Sequence, residues 1–354
     1  MKKTILVTGG AGFIGSAVIR HILDNSNFKV INIDKLTYAS SLSSLKKYEK
    51  NKNYIFKKID ICNRRKIVEI FKKYLPKLVM HLAAETHVDR SINAANNFIK
   101  TNIFGTYNML EVSREYYKKL NTKNKKNFKF HHISTDEVYG DLNKKSPPAD
   151  EDFKYSPSSP YSASKASSDH LVRSWFRTYN LPVIISNCSN NYGPNQFPEK
   201  LIPLIILNAL EKKKLPIYGN GHQIRDWLYV NDHAEALFKI IIKGKVGETY
   251  NIGGNNEIKN IDVVKTICKK LDTIKPLSKN KSYVNLIEYV EDRPGHDNRY
   301  AIDTKKIKKI LKWKPKESFE TGIEKTINWY LEKYKSINDN AKKKYDRKRL
   351  GLIK

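Results

Sequence analysis

The fold is decided by the stretch TILVTGGAGFIG, residues 4–15, near the start of this 354-residue chain. Thr4 to Thr8 is apolar and predicts a short strand, and the apolar-periodic residues that follow predict a helix through Ile22. The glycines at positions 9, 12 and 15 permit a tight turn, close approach of the backbone to a pyrophosphate, and close packing of helix on strand. Because it joins a strand to a helix, this glycine spacing predicts a dinucleotide-binding unit.

A second predicted strand, Lys29 to Ile33, ends in Asp34. A carboxylate at that place would bind a ribose 2′-OH and repel a 2′-phosphate, which favours NAD over NADP. The neighbouring Lys35 carries the opposite charge and weakens this preference.

Further along, predicted strands and helices alternate. Strands are expected at residues 54–59, 78–82, 128–133 and 183–186, with helices at 64–74, at about 93–120 and around Tyr161. This alternation is typical of the α/β class, and we predict a Rossmann-type doubly wound parallel sheet followed by a smaller C-terminal α/β substrate-binding part. Residues 215–221, 223–230 and 291–297 combine turn, charged and aromatic residues, and we expect them to be loops that cap a substrate.

The charge and cysteine content of the chain limit the classes of function that it can have. The net charge is +30, but the lysines are scattered through the chain and accompany no nucleic-acid motif, so we interpret them as a solvated surface that would also attract a diphosphate. A basic nucleic-acid-binding protein with a vestigial Rossmann domain remains an alternative, which salt-dependent gel retardation would reveal. The three cysteines have no metal-ligand spacing, so no metal site is expected. We expect a soluble protein of the reducing cytoplasm, with no membrane-spanning segment.

Two motifs carry the chemistry: STDEVYG at residues 134–140 and YSASK at residues 161–165. Tyr161 and Lys165 are four positions apart, so on a helix they share one face, and the ammonium could lower the pKa of the phenol. Hydride chemistry needs only this pair. The adjacent Asp136 and Glu137 indicate that a proton and a leaving group are handled as well, although both could be turn residues of a plain dehydrogenase.

Some residues near these motifs have ordinary structural explanations. His87 could cap a helix or simply pack, and His131 and His132 are expected in a strand rather than on a metal. Tyr139 and Tyr192 could be packing aromatics or direct ligands.

With these motifs in place, the chain resembles the extended short-chain dehydrogenases/reductases, and within them the nucleotide-sugar 4,6-dehydratases that act on dTDP-glucose. The resemblance spans nearly the whole chain and rests on GGAGFIG at 9–15, DKLTYA at 34–39, AAETHVDRS at 83–91, STDEVYG at 134–140, YSASK at 161–165, NCSNNYGP at 187–194, FPEKLIP at 197–203, QIRDWLYV at 223–230 and DRPGHD at 292–297. Related 4-epimerases lack both carboxylates of the Thr-Asp-Glu triplet. One departure is Ser40-Ser41, where that family usually has Gly-Asn near the adenosine ribose.

The resemblance implies dehydration of dTDP-glucose to dTDP-4-keto-6-deoxyglucose, in deoxysugar biosynthesis of the dTDP-rhamnose type. NAD oxidises C4, water is eliminated across C5 and C6, and the hydride returns to C6. It implies Tyr161 as base for the 4-OH with Lys165 beside it, Thr135 bound to the oxygen at C4, Glu137 as base at C5 and Asp136 as acid at the 6-OH. A UDP-sugar 4,6-dehydratase, a decarboxylase or a 4-epimerase of the same family is the alternative.

The resemblance also implies the binding residues and the organisation of the chain. We expect residues 1–190 to form the NAD-binding domain with the catalytic residues, 191–335 the main nucleotide-sugar-binding domain, and 336–354 a basic polar tail; a homodimer is also implied. The implied NAD contacts are Gly9, Gly12, Phe13, Ile14, Gly15, Asp34, Lys35, Leu36, Thr37, Asp60, Ile61, Ala83, Ala84, Glu85, Thr86, Thr101, Tyr161, Lys165 and Asn191. The implied substrate contacts are Thr86, Thr135, Asn190, Lys200, Leu201, Pro216, Ile217, Tyr218, Arg225, Asn260, Asp292, Arg293, Pro294, Gly295 and His296.

Overall fold

The computed structural model describes residues 3–278, 280–345 and 350–351. Its main feature is a seven-stranded sheet whose neighbouring strands are all parallel, in the order β10-β6-β5-β4-β1-β2-β3. The strands are β1 (Thr4–Thr8), β2 (Lys29–Asp34), β3 (Tyr54–Lys58), β4 (Leu78–His81), β5 (Lys129–Thr135), β6 (Val183–Cys188) and β10 (Thr249–Ile252).

Helices cover both faces of this sheet. One face packs against α1 (Phe13–Asn25), α9 (Val230–Lys243) and α11 (Lys305–Leu311), and the other against α2 (Arg64–Tyr74), α5 (Gly105–Lys118) and α7 (Pro160–Tyr179). The central strands are buried on both sides because each lies between two helix layers. The doubly wound α/β fold predicted from the sequence is therefore confirmed.

The glycine-rich turn after β1 needs its glycines for two different reasons. Gly9 has a φ of +71°, and a Cβ there would lie 2.7 Å from the backbone of Ala83. A Cβ on Gly15 would collide with the carbonyl oxygen of Gly9, so this glycine lets α1 approach the turn.

A second group of elements follows the main sheet strands. It contains β7 (Asn190–Tyr192), β9 (Ile224–Tyr229) and β11 (Glu257–Lys259) in one small sheet, and β8 (Leu215–Tyr218) paired with β12 (Ile287–Val290) in another. Apolar residues of these strands pack with α8 (Leu201–Leu210), α10 (Asn260–Ile274) and α12 (Phe319–Lys344) into a separate core.

This region corrects the loop predictions. Residues 215–218 and 224–229 are strands, because their apolar side chains are buried in the second core, and of the three predicted cap loops only residues 291–297 contain no helix or strand. Two elements that follow residue 190 belong to the large sheet unit. Strand β10 pairs with β6 at its edge, and α9 packs against one of its faces. Elements of the expected second domain, residues 191–335, thus form part of the unit built on the large sheet.

The predicted helix at 93–120 is interrupted. The chain forms α3 (Val88–Asn93), α4 (Ala95–Phe98), a π-helical segment (Ile99–Phe104) and then α5, followed by α6 (Thr122–Lys125). Short 3₁₀ segments occur at Leu42–Tyr48, Asp136–Tyr139 and Tyr283–Leu286. Helix α12 extends through the first residues of the expected basic tail, whose residues 346–349 and 352–354 lie outside the described part. Among the described helices, none has the length and apolar character to cross a bilayer.

Candidate active site

A cavity of about 320 Å³ lies at the carboxyl ends of the central strands, where open α/β sheets bind ligands. It runs from the glycine-rich turn to the start of α8. All five expected catalytic residues line it. So do most expected cofactor residues and the first of the substrate residues: Gly9, Gly12, Phe13, Ile14, Gly15, Asp34, Lys35, Thr37, Ile61, Ala83, Ala84, Thr86, Thr101, Asn190, Asn191, Lys200 and Leu201.

The cofactor end of the cavity is organised by Asp34. Its Oδ2 accepts a hydrogen bond from the backbone N–H of Ala11 (3.0 Å), and its Oδ1 accepts one from Leu36 N–H (2.7 Å). The hydroxyl of Ser40 also donates to Oδ1, at 3.2 Å. Ser40, at the point of departure from the resembling family, therefore supports the carboxylate expected to bind the ribose.

The charge of Lys35 is largely compensated. Its Nζ lies 3.1 Å from Glu85 Oε1 and donates to Thr101 Oγ1 at 3.2 Å. The positive charge that weakened the preference for NAD is thus paired with a carboxylate, and Asp34 remains the dominant charge beside the ribose position. Leu36, Asp60 and Glu85, expected NAD contacts, do not line the cavity; Asp60 Oδ1 accepts from Cys62 N–H at 2.8 Å.

The residues present fit a dinucleotide. A Cβ built on Gly12 would meet only Gly9 O, at 3.2 Å, so the absent side chain of this cavity-lining residue leaves backbone open to a phosphate. Gly12 also immediately precedes α1, whose N-terminus favours negative charge.

Helix α7 presents Tyr161 and Lys165 to the cavity on one face, as predicted. The helix starts with a capping box in which Ser159 and Ser162 bond each other's backbone N–H, with Pro160 at its first position. Both functional side chains are buried, and Lys165 Nζ donates to the carbonyl oxygen of Ile133 at 2.8 Å.

The expected lowering of the phenol pKa by Lys165 is not what this structure shows. Burial raises the pKa of Tyr161 well above its usual value, and the nearby charge of Glu137 raises it further, while a hydrogen bond with Thr135 acts in the opposite direction. The reason is geometric: the ammonium of Lys165 donates to a backbone carbonyl rather than to the phenol. Tyr161 therefore requires further positive charge before it can act as a base.

The Thr-Asp-Glu triplet lies at the carboxyl end of β5, as the sequence predicts. Thr135 is the last residue of β5, and Asp136 and Glu137 open the following 3₁₀ turn. Thr135 Oγ1 accepts a hydrogen bond from Glu137 N–H (3.3 Å) and donates to Asp136 Oδ1 (3.3 Å). This turn holds both carboxyl groups at the wall of the cavity.

The two carboxyl groups differ electrostatically. Burial raises the pKa of Asp136 well above its usual value, and Glu137 and Asp226 raise it further. Burial also raises the pKa of Glu137, but the cations Arg293, Lys200 and Arg225 counteract that rise. Asp136 is thus suited to remain protonated and to donate, and Glu137 to accept a proton.

The expected substrate residues form a basic region beside Glu137. Lys200 Nζ donates to Thr86 O at 2.9 Å. Arg225 Nη2 donates to Asp297 O at 2.8 Å, and Arg293 Nε lies 3.5 Å from Asp89 Oδ1. Buried Nη1 of Arg293 has no hydrogen-bond partner among the described residues, which leaves it able to bind a phosphate oxygen.

The remaining expected substrate residues do not line the cavity. Pro216 to Tyr218 lie in β8, and Tyr218 OH donates to Asp89 Oδ2 at 2.9 Å. Asn260 begins α10, and residues 292–296 lie in the loop after β12. His296 Nδ1 is 2.6 Å from Asp292 Oδ1, and burial together with Arg293 lowers the pKa of His296 to about 4.

Sequence reasoning missed Glu199. Its buried carboxylate accepts hydrogen bonds from Tyr38 OH (2.9 Å) and Arg90 Nε (2.8 Å), joining the loop after β2 to α3. The signal was present in the FPEKLIP motif, where Glu199 directly precedes the expected substrate residue Lys200. Other cavity-lining residues that were missed include Ser134, Cys188, Ser189, Gln196, Phe197 and Trp227.

The histidines and tyrosines for which the sequence allows a capping or packing role make hydrogen bonds to other parts of the protein. His87 caps α3 by accepting from Arg90 N–H at 3.4 Å, and His131 bonds Ser186 Oγ within the sheet at 2.9 Å. Tyr139 OH donates to Asn251 Oδ1 at 2.8 Å, and Tyr192 OH donates to Ser318 O at 3.3 Å.

The fold and site together define an extended short-chain dehydrogenase/reductase that carries an acid–base pair beside its tyrosine and lysine. A family model described as GDP-mannose 4,6 dehydratase matches residues 6–326. The dTDP-glucose 4,6-dehydratase of Shigella flexneri is 62% identical over 335 residues, covering 92% of each chain. The chain belongs to the dTDP-glucose 4,6-dehydratase family.

Solved structures agree with this assignment. The dTDP-glucose 4,6-dehydratase from Bacillus anthracis, in complex with NAD, is 42% identical with a TM-score of 0.84, covering 96% of this chain and 99% of that one. The enzyme of the same name from Streptomyces venezuelae, also with NAD bound, is 36% identical with a TM-score of 0.86, covering 95% and 99%.

Proposed function

We propose that this chain converts dTDP-glucose into dTDP-4-keto-6-deoxyglucose, with NAD as cofactor, as a lyase of deoxysugar biosynthesis of the dTDP-rhamnose type. The observation that carries this function is the adjacent carboxyl pair Asp136 and Glu137 in the same cavity as Tyr161 and Lys165. A dehydrogenase or epimerase needs only the tyrosine and lysine. Elimination of water across C5 and C6 needs an acid and a base in addition.

Oxidation at C4 begins at Tyr161. The phenol, ionised in the active complex, accepts the proton of the sugar 4-OH, and Thr135 hydrogen-bonds the oxygen at C4. When bound, NAD⁺ would supply the positive charge and the acceptor for the C4 hydride. Lys165 stabilises the tyrosinate and bonds the nicotinamide ribose.

Elimination follows from the ketone. A carbonyl at C4 acidifies the hydrogen at C5, and Glu137 removes it as a proton. Asp136, kept protonated by its burial, donates its proton to the 6-OH so that water leaves. Hydride then adds at C6 and a proton returns to C5, so the net redox change is zero.

The basic region beside Glu137 is suited to the nucleotide diphosphate. Arg225 lies on β9 and Arg293 in the loop after β12, and arginine binds phosphate oxygens in a bidentate manner. Lys200 is held by Thr86 O at the sugar end. We assign the remaining expected substrate residues of β8 and of residues 292–296 to the nucleotide part.

The test is product analysis with two substrates. Purified protein incubated with dTDP-glucose should yield a nucleotide sugar lighter by one water, identified by mass, and UDP-glucose should react far more slowly. Faster dehydration of UDP-glucose than of dTDP-glucose would identify the protein as a UDP-sugar dehydratase. An isomer of unchanged mass would indicate a 4-epimerase and contradict the proposal.

We also propose that the protein is a homodimer, formed through an exposed apolar face. Side chains of the π-helical segment, α5 and α7 contribute to it: Ile99 is 45% exposed, Phe104 63%, Tyr107 37% and Tyr179 42%. Ring contacts join Phe104 to Tyr107, and Tyr107 to Trp175. An exposed apolar patch of this kind is typical of a self-association surface.

Replacing Phe104 with Asp should convert the dimer into a monomer, because a charge within the apolar face would be desolvated on association. Sedimentation velocity of the two proteins measures this. Ile274→Asp is the matched control, since Ile274 is 41% exposed but belongs to α10, away from the face. A Phe104→Asp protein that sediments like the unmodified chain would contradict the proposed interface.

A cytoplasmic location is also proposed. Cys62, Cys188 and Cys268 are all free thiols in the structure, which is the usual state in a reducing compartment.

A further inference from the structure

A buried charged cluster lies directly behind the pair of Tyr161 and Lys165. Asp169 is 0% exposed and lies one helical turn after Lys165 on α7, and His132 on β5 is 1% exposed. His132 Nε2 is 3.2 Å from Asp169 Oδ1 and 3.4 Å from Lys165 Nζ. The imidazole therefore lies between the carboxylate and the ammonium.

Asp169 is held as an anion by its surroundings. Its Oδ2 accepts hydrogen bonds from Ser134 Oγ (2.8 Å) and Tyr155 OH (2.9 Å), and Arg173 Nη2 donates to the same tyrosine oxygen at 2.8 Å. Burial alone would raise the pKa of Asp169. The nearby imidazole of His132, the charge of Lys165 and the hydrogen bond from Ser134 outweigh burial, so the pKa of Asp169 is lowered.

Apart from the cation Arg173, which bonds Tyr155, the other titratable groups behind Lys165 are neutral. Burial lowers the pKa of His132 to about 4 and that of His81, on β4, well below its usual value. Burial raises the pKa of the Cys188 thiol on β6, so it stays protonated. On the cavity side, Asp136 and Glu137 influence Tyr161 rather than Lys165.

Lys165 is therefore a buried cation that depends on one anion. Burial lowers the pKa of Lys165, and Asp169 is the first group that raises it again. A buried charge is costly unless it is paired and hydrogen-bonded, and removing its counter-charge shifts the equilibrium towards the neutral form.

We propose that Asp169 is a positioning residue for the dehydration reaction: it acts through Lys165 by supplying the buried negative charge that balances the ammonium. Ser134, Tyr155 and His132 hold Asp169 in turn. The inference rests on the proposed function, because Lys165 matters only if Tyr161 is the base. It adds a residue that has no contact with sugar or cofactor in that mechanism.

The test is the pH profile of kcat/KM for dTDP-glucose in Asp169→Asn. Activity requires protonated Lys165, so its pKa limits activity on the alkaline side. Without the carboxylate, the alkaline limb should move to lower pH by about one unit or more, the usual size of the effect of a close opposite charge. At neutral pH, kcat should fall while KM changes little, since Asp169 does not line the cavity.

Three variants keep this test decisive. Asp169→Glu retains the charge and should restore the alkaline limb. Asp232→Asn removes another buried aspartate, which accepts from the N–H groups of Lys316 and Glu317, and should lower stability without moving the limb. If Asp169→Asn does not fold, Asp169→Ser leaves room for water and should show the same shift.

An alkaline limb that stays in place in the folded Asn or Ser variant would overturn the positioning role and leave the proposed function intact. Failure of the unmodified chain to dehydrate dTDP-glucose would instead overturn the proposed function, so the two failures are distinguishable.

Discussion

Replacement of Glu137 by Gln will abolish loss of water from dTDP-glucose while oxidation at C4 continues. The amide cannot accept the C5 proton, but Tyr161, Lys165 and Thr135, which act at C4, are unchanged. The variant should therefore accumulate enzyme-bound NADH on mixing with substrate, and no dehydrated product. Stopped-flow absorbance of NADH, followed by mass analysis of the quenched sugar nucleotides, measures both quantities.

The matched control for this change is Glu151→Gln. Glu151 also has a pKa raised by burial, but its carboxylate accepts from Asn251 N–H and does not line the cavity. The product yield of the Glu151→Gln variant should stay near that of the unmodified chain. Asp136→Asn should resemble Glu137→Gln, because the amide has no proton to give to the 6-OH. Normal dehydration by Glu137→Gln would remove Glu137 from the mechanism.

Tyr161→Phe should lower both NADH formation and product formation by at least ~10²-fold, the usual scale for loss of a general base. The phenol acts in the first step, so nothing that follows can proceed without it. Transient kinetics of NADH absorbance and steady-state product formation should fall together.

Tyr139→Phe is the control for loss of a buried hydroxyl near the same cavity. Tyr139 is the last residue of the 3₁₀ turn, and its buried phenol donates to Asn251, so activity should change little while stability decreases. If Tyr161→Phe still gave the burst of NADH, another group would be the base for C4 oxidation.

The parts of the fold that depend on local pattern were predictable from sequence. Helix α2 has the predicted bounds, Arg64–Tyr74, and the glycine-rich turn joins β1 to α1 as expected. The apolar run before Ser134 predicted β5, and with it the location of the Thr-Asp-Glu triplet at the sheet edge. Periodicity and glycine spacing are properties of neighbouring residues, so a single sequence contains them.

Features that depend on distant packing were not predictable in the same way. The turn and charged residues around β8 and β9 predict loops, because only the second core explains why their apolar residues are buried. Strand β10 pairs with β6 in the large sheet, and Glu199 bonds both Tyr38 and Arg90. These are contacts between residues that are distant in the sequence. The pKa of Tyr161 depends on burial, which no residue spacing specifies.

Internal return of the hydride is the central claim, and isotope transfer tests it most directly. dTDP-glucose deuterated at C4 is incubated with the purified protein in ordinary water, and the product is analysed by mass and NMR. The proposed function predicts deuterium at C6, because the same cofactor takes the hydride from C4 and returns it. Product without deuterium, or a need for NAD in proportion to product, would contradict internal return and indicate an ordinary dehydrogenase.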